Sequence, residues 1–293
     1  MLALALALAA PAGRAAGGRP PPSEDRSTKL DLISRLSSPP QLVVLGSSRS
    51  RRAEPSYLTT LTGLTAFNAG VRGGTAADAY VLTRYLADCA PVRGRRYIWF
   101  VDAGLATSGI PPELSADPRS RGYLGLAPAR RPACKALFPP DGRHTPDGSY
   151  TPAYKRILPE HAADLAAEVA RLVKSVRLHH GSLNAVPDPK QYVWFERTLA
   201  FMNRQGSEPI IVFNPIQPKV LAALRAVGFP ARTHSADYLR RLHRRYRFVV
   251  VDGEDVHRWG GSANDFWDAT HIDYANMRRL LRYVVAHAGG ALR

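Results

Sequence analysis

Four short stretches carry residue types that could do chemistry together. They are "GSSR" (46–49), "NAGVRGGT" (68–75), "FNPIQP" (213–218) and "DFWDATHID" (265–273). A serine hydroxyl is a weak nucleophile until an imidazole takes its proton. The imidazole in turn needs a carboxylate to fix its tautomer and stabilise its charged form. Asp268-x-x-His271 can place those two groups side by side, and a serine of "GSSR" could meet His271. The serine's own backbone N–H, with that of a glycine in "RGGT", could hold a developing oxyanion. The plainer readings stand beside this one. Ser47 and Ser48 could cap a helix beginning near Arg51, as serines often do. Asp268 could cap the last helix, His271 could merely start it, and Gly73 and Gly74 could serve only a turn.

What must position these groups is legible as a run of elements. Apolar, β-branched-rich stretches recur at 41–46, 97–102, 209–213 and 247–252, with a weaker one at 65–71. Continuous rather than alternating apolarity predicts strands covered on both faces, as in a parallel sheet. Helical periodicity falls between them, at 75–89, 160–178, about 190–205, 217–227 and 272–287. This alternation implies an α/β fold: a doubly wound, mostly parallel five-stranded sheet with helices on both faces and right-handed crossovers. In such a sheet all four stretches gather at the carboxyl edge, where open α/β folds bind ligands. One domain over 28–293 accommodates the whole pattern. An irregular insertion rich in Pro, Gly and Arg (104–158) follows the third strand, and a loop of that length is expected to act as a lid or specificity element.

The four stretches, in this order on this frame, resemble the SGNH hydrolases, also called GDSL-type esterases and lipases. "GSS" (46–48) is similar to that family's first block with Ser in place of Asp, and the resemblance puts the nucleophile at Ser48 rather than Ser47. "NAGVRGGT" resembles the second block, whose oxyanion glycine falls on Gly73. "DATH" resembles the last, giving Asp268 and His271 as the other members of a triad. The likeness covers roughly residues 40–288 and implies a flavodoxin-like strand order with no metal and no organic cofactor. It departs at the third block: "FVDAGLATSG" after strand three has no asparagine, and Asn214 at the end of strand four is the candidate substitute as an oxyanion donor. The implied activity is a serine-dependent esterase acting on a short acyl ester. An acyltransferase of the same fold, or a non-catalytic polyanion- or polysaccharide-binding protein, is the alternative.

Composition bears on partners. The formal net charge of +16 comes mostly from arginine, with only six lysines among 40 basic residues. Such a balance suits an anionic neighbour, for example an envelope polysaccharide or glycolipid. Arg49 and Arg72 are candidates for the rim of the substrate pocket. The basic clusters "RSRR", "RGRR" and "RRLHRRYR" do not interleave with the aromatics or glycines of a nucleic-acid module, and the last is read as an exposed helix face. "GSSRSR" has neither G-x-G-x-x-G nor G-x-x-x-x-G-K, which excludes the common nucleotide-binding loops. Residues 1–27 read as the remnant of a signal or membrane anchor followed by a disordered linker, since about a dozen apolar residues are too few for the roughly 20 that span a bilayer. Export is therefore expected, with an extracytoplasmic or envelope-associated site of action and proximity to a membrane. Cys89 and Cys134 could form one disulfide or remain buried thiols, and they show no zinc-ligand spacing.

Overall fold

The computed structural model describes residues 25–105, 109–128, 133–150, 161–179, 185–186 and 192–292. Five strands form one sheet: β1 (Leu42–Leu45), β2 (Ala66–Asn68), β3 (Arg96–Val101), β4 (Ile210–Phe213) and β5 (Val249–Asp252). Every pairing is parallel and the order is β2-β1-β3-β4-β5. This is a doubly wound α/β architecture, and the sequence expectation of a mostly parallel sheet becomes an entirely parallel one. The change of winding direction falls at β1, between β2 and β3, where such sheets open a crevice at their carboxyl ends.

The strand residues alternate between two core layers, which is why their apolar runs are unbroken. Val43, Leu45, Trp99, Val101, Ile211 and Phe213 face one layer. There they meet α1 (Asp25–Ser34), α3 (Ala76–Cys89), α7 (Val193–Arg204) and α9 (Pro230–Leu242). Leu42, Val44, Ile98, Phe100, Ile210 and Val212 face the other. That layer is closed by α2 (Pro55–Thr62), α6 (His161–His179), α8 (Pro218–Ala226) and α10 (Tyr274–His287). Each fully buried Leu, Val or Phe contributes about 1.5–3 kcal/mol relative to exposure, so both layers are needed to hold strands this short. Trp99 stacks on Phe195 of α7 with ring centroids 4.5 Å apart, fixing β3 against one face of the sheet.

Two expectations change. The linker expected through residue 27 gives way at Asp25 to α1, whose Asp25, Arg26, Lys29 and Asp31 are buried beside Leu30, Leu32 and Ile33. Residues 1–24 lie outside the described residues. The insertion after β3 is not wholly irregular either: it contains α4 (Pro112–Ala116) and α5 (Pro118–Arg121). Its segment 133–150 is fastened down. Cys134 is bonded to Cys89 of α3, Asp31 of α1 accepts the N–H groups of Leu137 and Phe138, and Asn68 at the end of β2 donates its N–H to Asp147. The remainder of the insertion, from 151, lies outside the described residues. Arg119 in α5 is buried with Asp31 and Asp117 as partners, so an ion-pair network locks α5 to α1. The "RRLHRRYR" run is helical only through Leu242 and buries that residue, while the arginines around it are exposed.

Candidate active site

Strand β1 ends at Gly46 because nothing larger fits: its φ is +144°, and an added Cβ would lie 2.9 Å from the Phe100 carbonyl and 2.8 Å from Ser50 Oγ. The chain then winds into a short 3-10 turn, Ser48–Ser50, capped by Ser47, whose hydroxyl accepts the Arg49 N–H. Ser47 therefore takes the capping role, and Ser48 is left with its side chain directed elsewhere. Ser48 Oγ lies 2.8 Å from His271 Nε2, across 223 residues of sequence.

The imidazole is oriented from behind. His271 Nδ1 donates to Asp268 Oδ2 at 2.7 Å, and the backbone N–H of His271 donates to Asp268 Oδ1 at 2.8 Å. With the Nδ1 proton held on the carboxylate, Nε2 presents its lone pair to the serine. Asp268 also accepts the N–H and hydroxyl of Thr270, at 2.8 and 2.9 Å. Burial by itself would raise the Asp268 carboxyl. The hydrogen bonds and charge of His271, with those from Thr270, outweigh it and hold the group well below the usual carboxylate range. Asp268 thus stays ionised wherever His271 could act as a base. Asp273, not Asp268, caps α10 by accepting the Asn276 N–H, and Asp265 pairs with Arg279.

The loop carrying Asp268 and His271 is a small hairpin. Phe266 bridges Ile272, Trp267 donates its N–H to the His271 carbonyl at 2.7 Å, and the Ala269 N–H reaches Glu168 of α6 at 3.3 Å. Arg52, four residues past Ser48, ties this hairpin to the Ser48–Ser50 turn. It donates to the Ile272 carbonyl at 2.6 Å and lies over the rings of Trp267 and Tyr274.

The glycine block sits against the Ser48–Ser50 turn. Val71 donates its N–H to the Gly46 carbonyl, and Gly74 packs so closely that an added Cβ would be 2.4 Å from Gly46 O and 3.1 Å from Ser47 Cα. Gly74 donates its N–H to Val71 and so serves the turn. Neither the Ser48 nor the Gly73 N–H has a hydrogen-bond acceptor among the described residues. Asn68 satisfies backbone groups, as its place at the strand end suggests: its amide donates to the carbonyls of Ser50 and Ala53 and accepts the Gly70 N–H.

Two sequence expectations are redirected. Arg49 does not stand open at the rim; its side chain is largely buried and pairs with Asp102 at the end of β3, at 3.0 Å. Asn214 donates to that same Asp102 at 2.8 Å, so this amide N–H is committed to a carboxylate rather than open to an oxyanion. Asp102, Arg49 and Asn214 thereby join the ends of β1, β3 and β4. The reason is position: a carboxylate ending β3 attracts the donors of its two neighbours. Arg72 is exposed, with its backbone N–H held by Asp25. Sequence reasoning missed Asp102 and Arg52, although "FVDAG" does place an acid at a strand end. Among the described residues no group of His, Cys, Asp and Glu is arranged to hold a metal ion, and no helix is long and apolar enough to cross a membrane.

No protein-family model matches this chain, and no curated protein matches it in sequence. The geometry therefore carries the functional argument.

Proposed function

We propose that this protein is a serine-dependent esterase of SGNH-hydrolase type, acting on short acyl esters. The observation that carries the reading is the unbroken relay Ser48–His271–Asp268, assembled at the carboxyl edge of the sheet from opposite ends of the chain. Ser48 Oγ attacks the acyl carbon as its proton passes to His271 Nε2, and Asp268 stabilises the imidazolium so formed. The carbonyl π bond opens to an oxyanion, which the N–H groups of Ser48 and Gly73 receive. Collapse expels the alcohol, which leaves with the proton from His271. Water, deprotonated by the same imidazole, then releases the carboxylic acid and restores Ser48.

The Cys89–Cys134 disulfide supports action in an oxidising compartment, and with the basic surface it favours acyl groups on an envelope carbohydrate or glycolipid. The pairing of Arg49 with Asp102 removes one cation from the set available to a polyanion, which weighs against a purely charge-holding role for the pocket. The test is hydrolysis of 4-nitrophenyl acetate by the wild type and by Ser48→Ala. A rate abolished by the substitution supports the esterase. Equal rates would remove Ser48 from the mechanism. Transfer of the acetyl group to an added sugar, in preference to water, would reassign the protein as an acyltransferase using the same relay.

A further inference from the structure

The first turn of α1 reaches both halves of the candidate site. Asp25 accepts the Arg72 N–H at 2.7 Å and pairs with Arg51, three residues past the nucleophile, at 3.3 Å. Arg26 donates to the Gly73 carbonyl at 3.1 Å, and Asp78 grips its guanidinium with both oxygens, at 2.7 and 3.1 Å. Asp78 in turn accepts the N–H and hydroxyl of Thr75, closing the cap of α3. Arg26 is 6% exposed and Asp78 2%, so these are low-dielectric contacts in which a misplaced partner is costly.

The consequence is a matter of peptide planes. The peptide that carries the Arg72 N–H is pinned by Asp25, and the peptide that carries the Gly73 carbonyl is pinned by Arg26. The single peptide between them carries the Gly73 N–H, which has no acceptor among the described residues. A donor fixed before substrate arrives need not reorganise when charge develops, and that is the source of its catalytic value. We infer that Asp25 and Arg26 are positioning residues that set the Gly73 N–H as an oxyanion donor, acting from a helix 47 residues upstream of the loop they orient. This rests on the esterase reading above. Neither side chain touches substrate; both act through the backbone of 72–73.

The experiment compares the full chain with Asp25→Asn, Arg26→Gln and Arg26→Lys, measuring kcat and KM on 4-nitrophenyl acetate and inhibition by phenylboronic acid. The boronate forms a tetrahedral adduct on the serine and samples the oxyanion site directly. Arg26→Gln is expected to lower kcat by roughly 10- to 100-fold, short of the ~10²–10³ seen when a donor is removed outright, with KM within about two-fold because no substrate contact is lost. Boronate affinity should fall by a similar factor. Arg26→Lys should recover part of both, and Asp25→Asn, which keeps the side chain's size and one acceptor oxygen, should give a smaller loss of the same pattern. Folded variants with unchanged kcat and boronate affinity would overturn the inference while leaving the esterase standing. So would a fall in kcat with boronate affinity intact, since that marks a general structural effect. A wild type that neither hydrolyses the ester nor binds the boronate would overturn the esterase reading, and the inference with it.

Discussion

The two flanks of Ser48 are built by different physics. On one side His271 and Asp268 come from a single hairpin, 265–273, where they are three residues apart and their bonds are local. On the other side the glycine block is set largely by charges from far away: Asp25 and Arg26 of α1, the latter held by Asp78 of α3, and Lys29, which bonds the Asn68 carbonyl. Lys29 is fully buried, donating to the carbonyls of Asn68 and Gly148. The contrast teaches that a hydrogen-bonded relay can be specified by a short motif, whereas the direction of a loop's backbone N–H is specified by whatever holds its neighbouring peptides.

The relay side should fail abruptly. Ser48→Ala or His271→Ala should each reduce kcat on the order of 10⁶-fold, to background, since members of a hydrogen-bonded catalytic unit are individually indispensable. Asp268→Asn should keep the fold and cost about 10⁴-fold in kcat through the wrong imidazole tautomer; steady-state kinetics on 4-nitrophenyl acetate check all three. Folded variants retaining near wild-type rates would break the distinction between the flanks.

The glycine-block side should yield in smaller steps. Cys89→Ser with Cys134→Ser opens a loop with a sequence separation of 45 and should lower unfolding free energy by about 2–4 kcal/mol, read by urea denaturation. A loss of activity beyond that of stability would show that the 133–150 segment touches substrate. On the relay flank, a positioning contact rather than a relay member should also yield only in part: Arg52→Met should lower kcat by about tenfold at constant KM, because the Ile272 carbonyl loses its tether and His271 drifts. Burial pushes the Lys29 ammonium down to about 7, with Asp25 opposing. Between about pH 7 and 10.4 the unfolded chain therefore holds a proton that the folded chain lacks, so this group makes stability rise with pH. The wild type should gain about 1 kcal/mol per pH unit over that window relative to Lys29→Met, measured by denaturation at pH 7, 8 and 9. Parallel stability curves would show that Lys29 titrates normally in the folded chain.

The same contrast explains what could be read from the residues alone. The strands, the carboxyl-edge gathering and Asp-x-x-His were legible because apolar runs and short spacings act locally. α1 was not, because its buried residues include Asp25, Arg26, Lys29 and Asp31. A helix that buries charge shows no clean apolar stripe, and it follows an Ala-, Gly- and Pro-rich stretch that reads as linker. Arg49 read as a rim cation since its partner, Asp102, lies 53 positions away and is apparent only once β1 and β3 pair. Asn214 read as a donor to substrate for the same reason. The pairing of Cys89 with Cys134 was open because nothing in spacing alone brings α3 to the insertion.

The most direct measurement is covalent labelling of the full chain with a fluorophosphonate, followed by mass spectrometry of its peptides. This asks whether Ser48 is an activated nucleophile without regard to which alcohol or acceptor the proposed reaction uses. The expected result is a single phosphonyl adduct on Ser48, lost in His271→Ala and slowed in Asp268→Asn. An unlabelled protein, or a label that persists in His271→Ala or settles on another serine, would contradict the account.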